Sequence, residues 1–159
     1  MRTNLTSQIT LNRVSTKYYK PENAVERSVL TRFEKVPTDI YESVDEGVAH
    51  IANEIAGRIQ DRQREGKFFV IGAGTGASLR PLYAELVRKH KDEGLSFRNV
   101  VIFNLYEYYP LAPESAGSSF TQLKDLFVDQ IDIDKQNVFT IDGSIPQEAI
   151  LEYCRLYEQ

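Results

Sequence analysis

The period of the apolar positions changes along this chain, and each change marks an element. Val44, Val48, Ile51, Ile55 and Ile59 recur at spacings of four and three, which puts them on one stripe of an amphipathic helix. Ser43-Val44-Asp45-Glu46 ahead of it has the spacing of a capping box, and Gly66 marks its end. Phe68-Phe69-Val70-Ile71 is an unbroken apolar run closed by Gly72-Ala73-Gly74-Thr75-Gly76, the pattern of a strand buried on both faces that enters a glycine loop. Leu79, Leu82, Tyr83, Leu86 and Val87 define a helix directly after that loop. Val100-Val101-Ile102-Phe103 predicts a second buried strand and Val138-Phe139-Thr140-Ile141 a weaker third. Between them Phe120, Leu123, Phe127 and Ile131 share a helical stripe, with Ser118 or Ser119 as its cap. A last stripe is Ile150, Tyr153, Cys154 and Tyr157.

Strands alternating with helices imply right-handed crossovers and a parallel sheet, with ligands at the carboxyl ends of the strands. The expectation is an α/β fold: a Rossmann-like parallel sheet with helices on both faces, over residues 45–159. Residues 1–44 read as an arm. Ile9 to Val14 alternate, Lys17 to Pro21 form a connector, and Asn23-Ala24-Val25-Glu26 caps a short helix from about 23 to 35, before Pro37. Three strands are few for such a sheet, and the last stripe reaches Gln159 without a glycine, proline or polar tail. The pattern is that of a truncated half of a larger domain, missing its C-terminal half.

Composition narrows the function classes. At 159 residues, 42% hydrophobic and 26% charged, the chain has the material for one domain with a core. With 19 Lys+Arg against 23 Asp+Glu, it lacks the electrostatic footprint of a nucleic-acid binder. A single cysteine, Cys154, excludes an intrachain disulfide framework and a cysteine-based zinc site, and suits a reducing compartment. The apolar runs fall far short of the ~18 residues that span a bilayer, and Met1-Arg2-Thr3-Asn4 is no signal core. The reading is a soluble cytoplasmic chain that binds neither nucleic acid nor membrane.

Two segments offer chemistry. In Gly72-Ala73-Gly74-Thr75-Gly76-Ala77-Ser78, glycines let backbone amides approach an anion, the following helix aims its amino-terminal dipole there, and Thr75 and Ser78 add hydroxyls. The same loop also suits a tight strand-to-helix turn with no ligand. It lacks the Gly-Lys-Ser/Thr of a P-loop. Gly72, Gly74 and Ala77 fit the dinucleotide pattern loosely, but the next strand runs into Asn104 and Leu105 rather than an acidic ribose partner. The second segment, Asn104 to Pro110, sets Glu107 among tyrosines just past a strand end, where a carboxylate is well placed to move a substrate proton. Clustered tyrosines there serve packing equally well. His50 and His90, the latter in the basic run Arg88 to Lys91, read as solvated helix positions, and Cys154 as packing.

Together these blocks resemble the amino-terminal half of the glucosamine-6-phosphate deaminase family, from about residue 45 to the end. Gly72 to Leu79 followed by Tyr83-Ala84-Glu85-Leu86 resembles the family's Gly-Leu-Pro-Thr-Gly-Gly-Thr-Pro and Tyr-x-x-Leu. Val100-Val101-Ile102-Phe103-Asn104-Leu105-Tyr106-Glu107-Tyr108 resembles Val-Val-x-Phe-Asn-Met-Asp-Glu-Tyr. Asp129-Gln130-Ile131-Asp132-Ile133 is similar to Asp-His-Val-Asp-Ile, and Cys154-Arg155-Leu156-Tyr157-Glu158 to Cys-Arg-x-Tyr-Glu.

The resemblance implies conversion of glucosamine 6-phosphate to fructose 6-phosphate and ammonia, with no cofactor and no metal. It implies that Thr75, Gly76, Ala77 and Ser78 hold the phosphate of a phosphorylated hexosamine, and it leaves room for a homo-oligomer. Glu107 matches the family's glutamate as a catalytic candidate. Tyr106 stands where the family places the aspartate that shuttles a proton between C1 and C2. A tyrosine of pKa about 10 is only about one part in a thousand ionised at pH 7, so it does not simply replace a carboxylate. The family's remaining catalytic groups correspond to sequence beyond Gln159, which implies an inactive chain on its own. Two alternatives stay open: a sugar-phosphate-binding module without turnover, and a 6-phosphogluconolactonase, whose Asp-Glu-Arg has no match at Glu107-Tyr108.

Overall fold

The structure, a computed structural model, describes residues 23–33, 38–112 and 114–158. The alternating residues 9–14, the 17–21 connector, Pro37 and Gln159 lie outside the described residues. By contact the chain divides into two units, residues 1–47 and 48–159. The first contains helix α1 (Ala24–Thr31), where Asn23 caps as its spacing predicts and accepts the Glu26 amide at 2.9 Å.

Helix α2 (Val44–Arg64) starts at the predicted box: Ser43 Oγ accepts the Glu46 amide at 3.1 Å, while the Glu46 carboxylate reaches back to the amide of Glu42. Its buried face differs from the expected stripe. Ala52 and Ile59 are fully buried, with Ile55 and Ala56 packed beside them, whereas Val44 and Ile51 are 69% and 43% exposed. Small residues at 52 and 56 let this face of the helix approach its neighbours closely, and that outweighs the longer side chains a fraction of a turn away. Gly66, at φ +67°, takes the left-handed conformation that ends the segment.

Strands β1 (Phe69–Ala73), β2 (Val100–Asn104) and β3 (Val138–Phe139) form a parallel sheet in the order β1-β2-β3. The register pairs Phe69 with Val100, Ala73 with Asn104 and Ile102 with Val138. Helix α3 (Arg80–Glu93), entered through a 3-10 turn at Ala77–Leu79, makes the first crossover, and α4 (Ser119–Leu126) lies in the second. Ser118 is the α4 cap, accepting the Thr121 amide at 3.2 Å. The predicted stripe of residues 120–131 is not one helix, because the chain breaks at Phe127 and continues in a 3-10 turn at Val128–Gln130. The break lets both Phe127 and Val128 face inward.

One sheet face carries the core. Phe69, Ile71, Ala73, Val100 and Ile102 share a cluster with Ala52 and Ile59 of α2, Tyr83 and Leu86 of α3, and Leu123 of α4. At its centre Phe127 stacks on Tyr83, centroids 4.9 Å apart, and meets Phe97 edge-on at 5.5 Å. The strands are therefore not buried on both faces as the apolar runs suggest. Val70 is 59% and Phe139 44% exposed, and the second face takes its helix from α5 (Ile150–Tyr157), where Tyr157 meets Phe103 edge-on. β3 stops two residues early. Thr140 and Asp142 turn instead to the Tyr153 hydroxyl, which donates to the Thr140 carbonyl at 3.2 Å and accepts the Asp142 amide at 2.8 Å.

Three polar positions depart from the expected solvated or packing roles. Lys89 is buried, its ammonium 3.2 Å from Glu93. His90 is half-buried, Nδ1 2.7 Å from the Leu95 carbonyl and 3.7 Å from Asp132. Cys154 is exposed rather than packed, because α5 turns Tyr153 and Tyr157 inward instead. Among the described residues no helix is long and apolar enough to cross a membrane.

Candidate functional site

The carboxyl ends of β1 and β2 lie side by side at the pair Ala73 and Asn104, so the two segments singled out by sequence leave the sheet together. The Leu105 amide donates to the Ala73 carbonyl at 2.9 Å, which ties them at the root. On the other side, the Tyr83 hydroxyl donates to the Gly74 carbonyl at 2.6 Å, so a buried core side chain holds the loop in place.

The loop glycines work by approach rather than by torsion. None has a positive φ, a conformation kept for Gly66 and Gly94 among the described residues. A Cβ on Gly74 would stand 3.2 Å from Cε1 of Tyr106, so the tyrosine ring lies on that glycine. A Cβ on Gly76 would meet nothing nearer than Ser78 Oγ at 3.8 Å, so that side of the loop is open. The amides of Gly76, Ala77 and Ser78 donate to no other described residue, and they stand ahead of α3 at the positive end of its dipole.

Thr75 behaves differently. Its amide donates to the Tyr106 hydroxyl at 3.0 Å, and its Oγ1 lies 3.0 Å from that hydroxyl and 3.0 Å from Ser119 Oγ. Ser119 in turn faces Asn104 Oδ1 at 3.5 Å, and Asn104 Nδ2 donates to the Tyr106 carbonyl at 3.0 Å. Hydrogen bonds from the Thr75 hydroxyl and amide draw the Tyr106 phenol below its ordinary pKa.

Glu107 is enclosed by donors. One carboxylate oxygen accepts the amides of Ser119 at 2.8 Å and Tyr108 at 2.9 Å; the other accepts Ser118 Oγ at 2.7 Å and the Phe120 amide at 3.0 Å. It thus sits on the amino terminus of α4, where the free amides and the dipole favour a negative charge. Burial pushes its pKa up, but the Phe120 amide, the Ser118 hydroxyl and the Ser119 and Tyr108 amides outweigh that and hold it below the usual carboxylate range. Asp132 is alike: burial raises it, while the Phe97 amide, Ser96, His90 and Arg98 bring it lower.

These two carboxylates predict an acid transition. A depressed folded pKa contributes stability above the unfolded value, about 4.3 for Glu and 3.9 for Asp, and that stability is lost as pH falls through the folded value. The urea midpoint is expected to hold at pH 5 and fall steadily below about pH 4, with a shallower fall in Glu107→Gln. An equal fall in the variant would show that Glu107 carries none of it.

Sequence reasoning did not find the Ser119 hydroxyl, the Tyr83 tether or Gly143. A Cβ on Gly143 would meet the Tyr108 carbonyl at 2.4 Å and the Leu111 carbonyl at 3.0 Å, and its own carbonyl accepts the Leu111 amide at 2.9 Å. This glycine clasps the segment after β3 to the segment after β2. Beyond it a cavity of about 360 Å³ is lined by Tyr108, Tyr109, Ile141, Ile150, Tyr153 and Tyr157. The charged residues on its walls, Glu107, Asp142 and Glu158, are all acidic, so it does not suit an anionic group. Among the described residues no three His, Cys, Asp or Glu are grouped to hold a metal ion.

The family model described as glucosamine-6-phosphate isomerases/6-phosphogluconolactonase matches residues 42–159. A glucosamine-6-phosphate deaminase-like protein of Bacteroides thetaiotaomicron is 60% identical over all 159 residues, which make up 24% of its length. A glucosamine-6-phosphate isomerase of Candida albicans is 34% identical over 120 residues, 76% of this chain and 46% of its own. The solved structure of a monomeric glucosamine-6-phosphate deaminase superposes with a TM-score of 0.68 at 28% identity, covering 75% of this chain and 47% of that one. The chain spans between about a quarter and a half of these relatives.

Proposed function

The chain belongs to the family of glucosamine-6-phosphate isomerases and 6-phosphogluconolactonases, and on that footing we propose that it supplies the phosphate-binding portion of an enzyme converting glucosamine 6-phosphate to fructose 6-phosphate and ammonia. The observation that carries this reading is the row of uncommitted amides at Gly76, Ala77 and Ser78, set at the end of β1 and the start of α3. Such amides hold a phosphate through N–H groups and the helix dipole, without a lysine. Ser78 Oγ and Thr75 Oγ1 extend the seat. Ala77 stands in place of a glycine and still offers its amide.

A sugar whose phosphate rests there would extend its C1 and C2 toward the segment after β2. In the proposed reaction the ring opens, the C2 proton moves to C1 by way of an enolamine, and water then displaces ammonia from C2. In this arrangement Glu107 braces the site rather than acting as its base. A proton acceptor needs a free lone pair and a pKa near the working pH, whereas this carboxylate is saturated with donors and held low. The position facing the substrate belongs to Tyr106.

That neutral phenol favours a second reading, a module that binds a sugar phosphate without turning it over. Ammonia release from glucosamine 6-phosphate by the full-length protein separates the two. Release supports the enzyme; binding without release supports the module. In the enzyme, Tyr106→Asp is expected to raise turnover at least tenfold, a modest share of the ~10²–10⁴ that a positioned base contributes. No gain would place the limiting step elsewhere.

A further inference from the structure

We propose that Tyr106 is a built-in occupant of the anion seat: its phenol oxygen takes the place of a phosphate oxygen on Thr75 and must leave before a phosphorylated sugar is fully held. The inference rests on the reading of the loop as a phosphate seat and adds its regulation. The phenol oxygen accepts the Thr75 amide and pairs with the Thr75 hydroxyl, both at 3.0 Å, which are the two donors that residue offers an anion. The partners are 31 residues apart, so the contact belongs to the tertiary structure and not to a local turn.

The seated state is complete. The Thr75 amide donates to the phenol oxygen, the Tyr106 and Thr75 hydroxyls share a hydrogen bond, Thr75 Oγ1 pairs with Ser119 Oγ, and Ser119 donates to Asn104 Oδ1. The ring rests on Gly74, where no side chain displaces it. Yet Tyr106 is 40% exposed and lies on the segment beyond β2, where its ring meets Tyr108 edge-on with centroids 6.4 Å apart, so it has open space to swing into. A small anion must give up part of its binding free energy to displace the phenol. A sugar phosphate, with further groups to bind, offsets that cost. Tyr106 thereby lowers the affinity of the loop for free phosphate and phosphorylated sugars by the same factor, so that only a ligand with further contacts binds appreciably.

The test is titration of the full chain with inorganic phosphate, followed by calorimetry and by the amide NMR signals of residues 76–78. Tyr106→Phe keeps the ring and removes the competing oxygen. Gly74→Ala instead crowds the ring, with its Cβ at 3.2 Å from Cε1, and shifts it by a few tenths of an ångström. Tyr106→Phe is expected to bind phosphate about tenfold more tightly than the parent, the size of one net hydrogen bond, and Gly74→Ala more tightly by a smaller factor. If parent and variants bind alike, the seat stands and the plug is overturned. Weaker binding by Tyr106→Phe would make the tyrosine a ligand, which also overturns it. If none of the three binds phosphate, the seat itself falls and takes the plug with it.

Discussion

Phe127→Ala is expected to lower the stability of the chain by about 3–5 kcal/mol, as measured by urea denaturation. The ring is fully buried, stacks on Tyr83 and meets Phe97 edge-on, so truncation removes two aromatic contacts and leaves a cavity between α3 and the sheet. The effect reaches the site through Tyr83, whose hydroxyl holds the Gly74 carbonyl at 2.6 Å. With one side of its ring unsupported, Tyr83 loses the packing that positions that hydroxyl. Phosphate affinity is therefore expected to fall at temperatures where the variant is still folded. A loss under about 1 kcal/mol would mean that the surroundings collapse onto the gap.

Glu107→Ala is expected to cost about 2–4 kcal/mol, well above the range of an ordinary surface substitution. Removing the carboxylate strips acceptors from the Ser119 and Phe120 amides at the amino terminus of α4 and from Ser118 Oγ, and cuts the segment after β2 from that helix. Glu107→Gln keeps an acceptor but no charge, and should recover part of the loss. A catalytic carboxylate with no structural duty would behave in the opposite way: turnover would vanish while the urea midpoint stayed within about 0.5 kcal/mol of the parent. The pair of measurements thus decides what the glutamate does.

The strand and helix order was legible from periodicity, since each element has a run or stripe and three of the helices carry capping residues that the structure uses as predicted. Which face goes inward was not. Val44 and Ile51 match the spacing of Ile55 and Ile59, but contact geometry favours Ala52, and a sequence gives no penalty for a bulky residue left outside. The two-sided burial of β1 failed for a related reason, because an apolar run states what could be buried and not what is available to cover it. At the site, the meeting of the loop after β1 with the segment after β2 followed from topology. The bond between Thr75 and Tyr106 did not, since nothing in their separate motifs announces that a phenol fits over Gly74. Glu107 was noticed for its charge and position, while its four donors come from backbone and a serine that no spacing rule links to it.

The sheet order β1-β2-β3 follows the chain. As the polypeptide leaves the ribosome at about 5–20 residues per second, β2 and then β3 each emerge after the strand that precedes them in the sheet. The glycine loop after β1 and the tyrosine whose hydroxyl bonds Thr75 are thus synthesised only seconds apart.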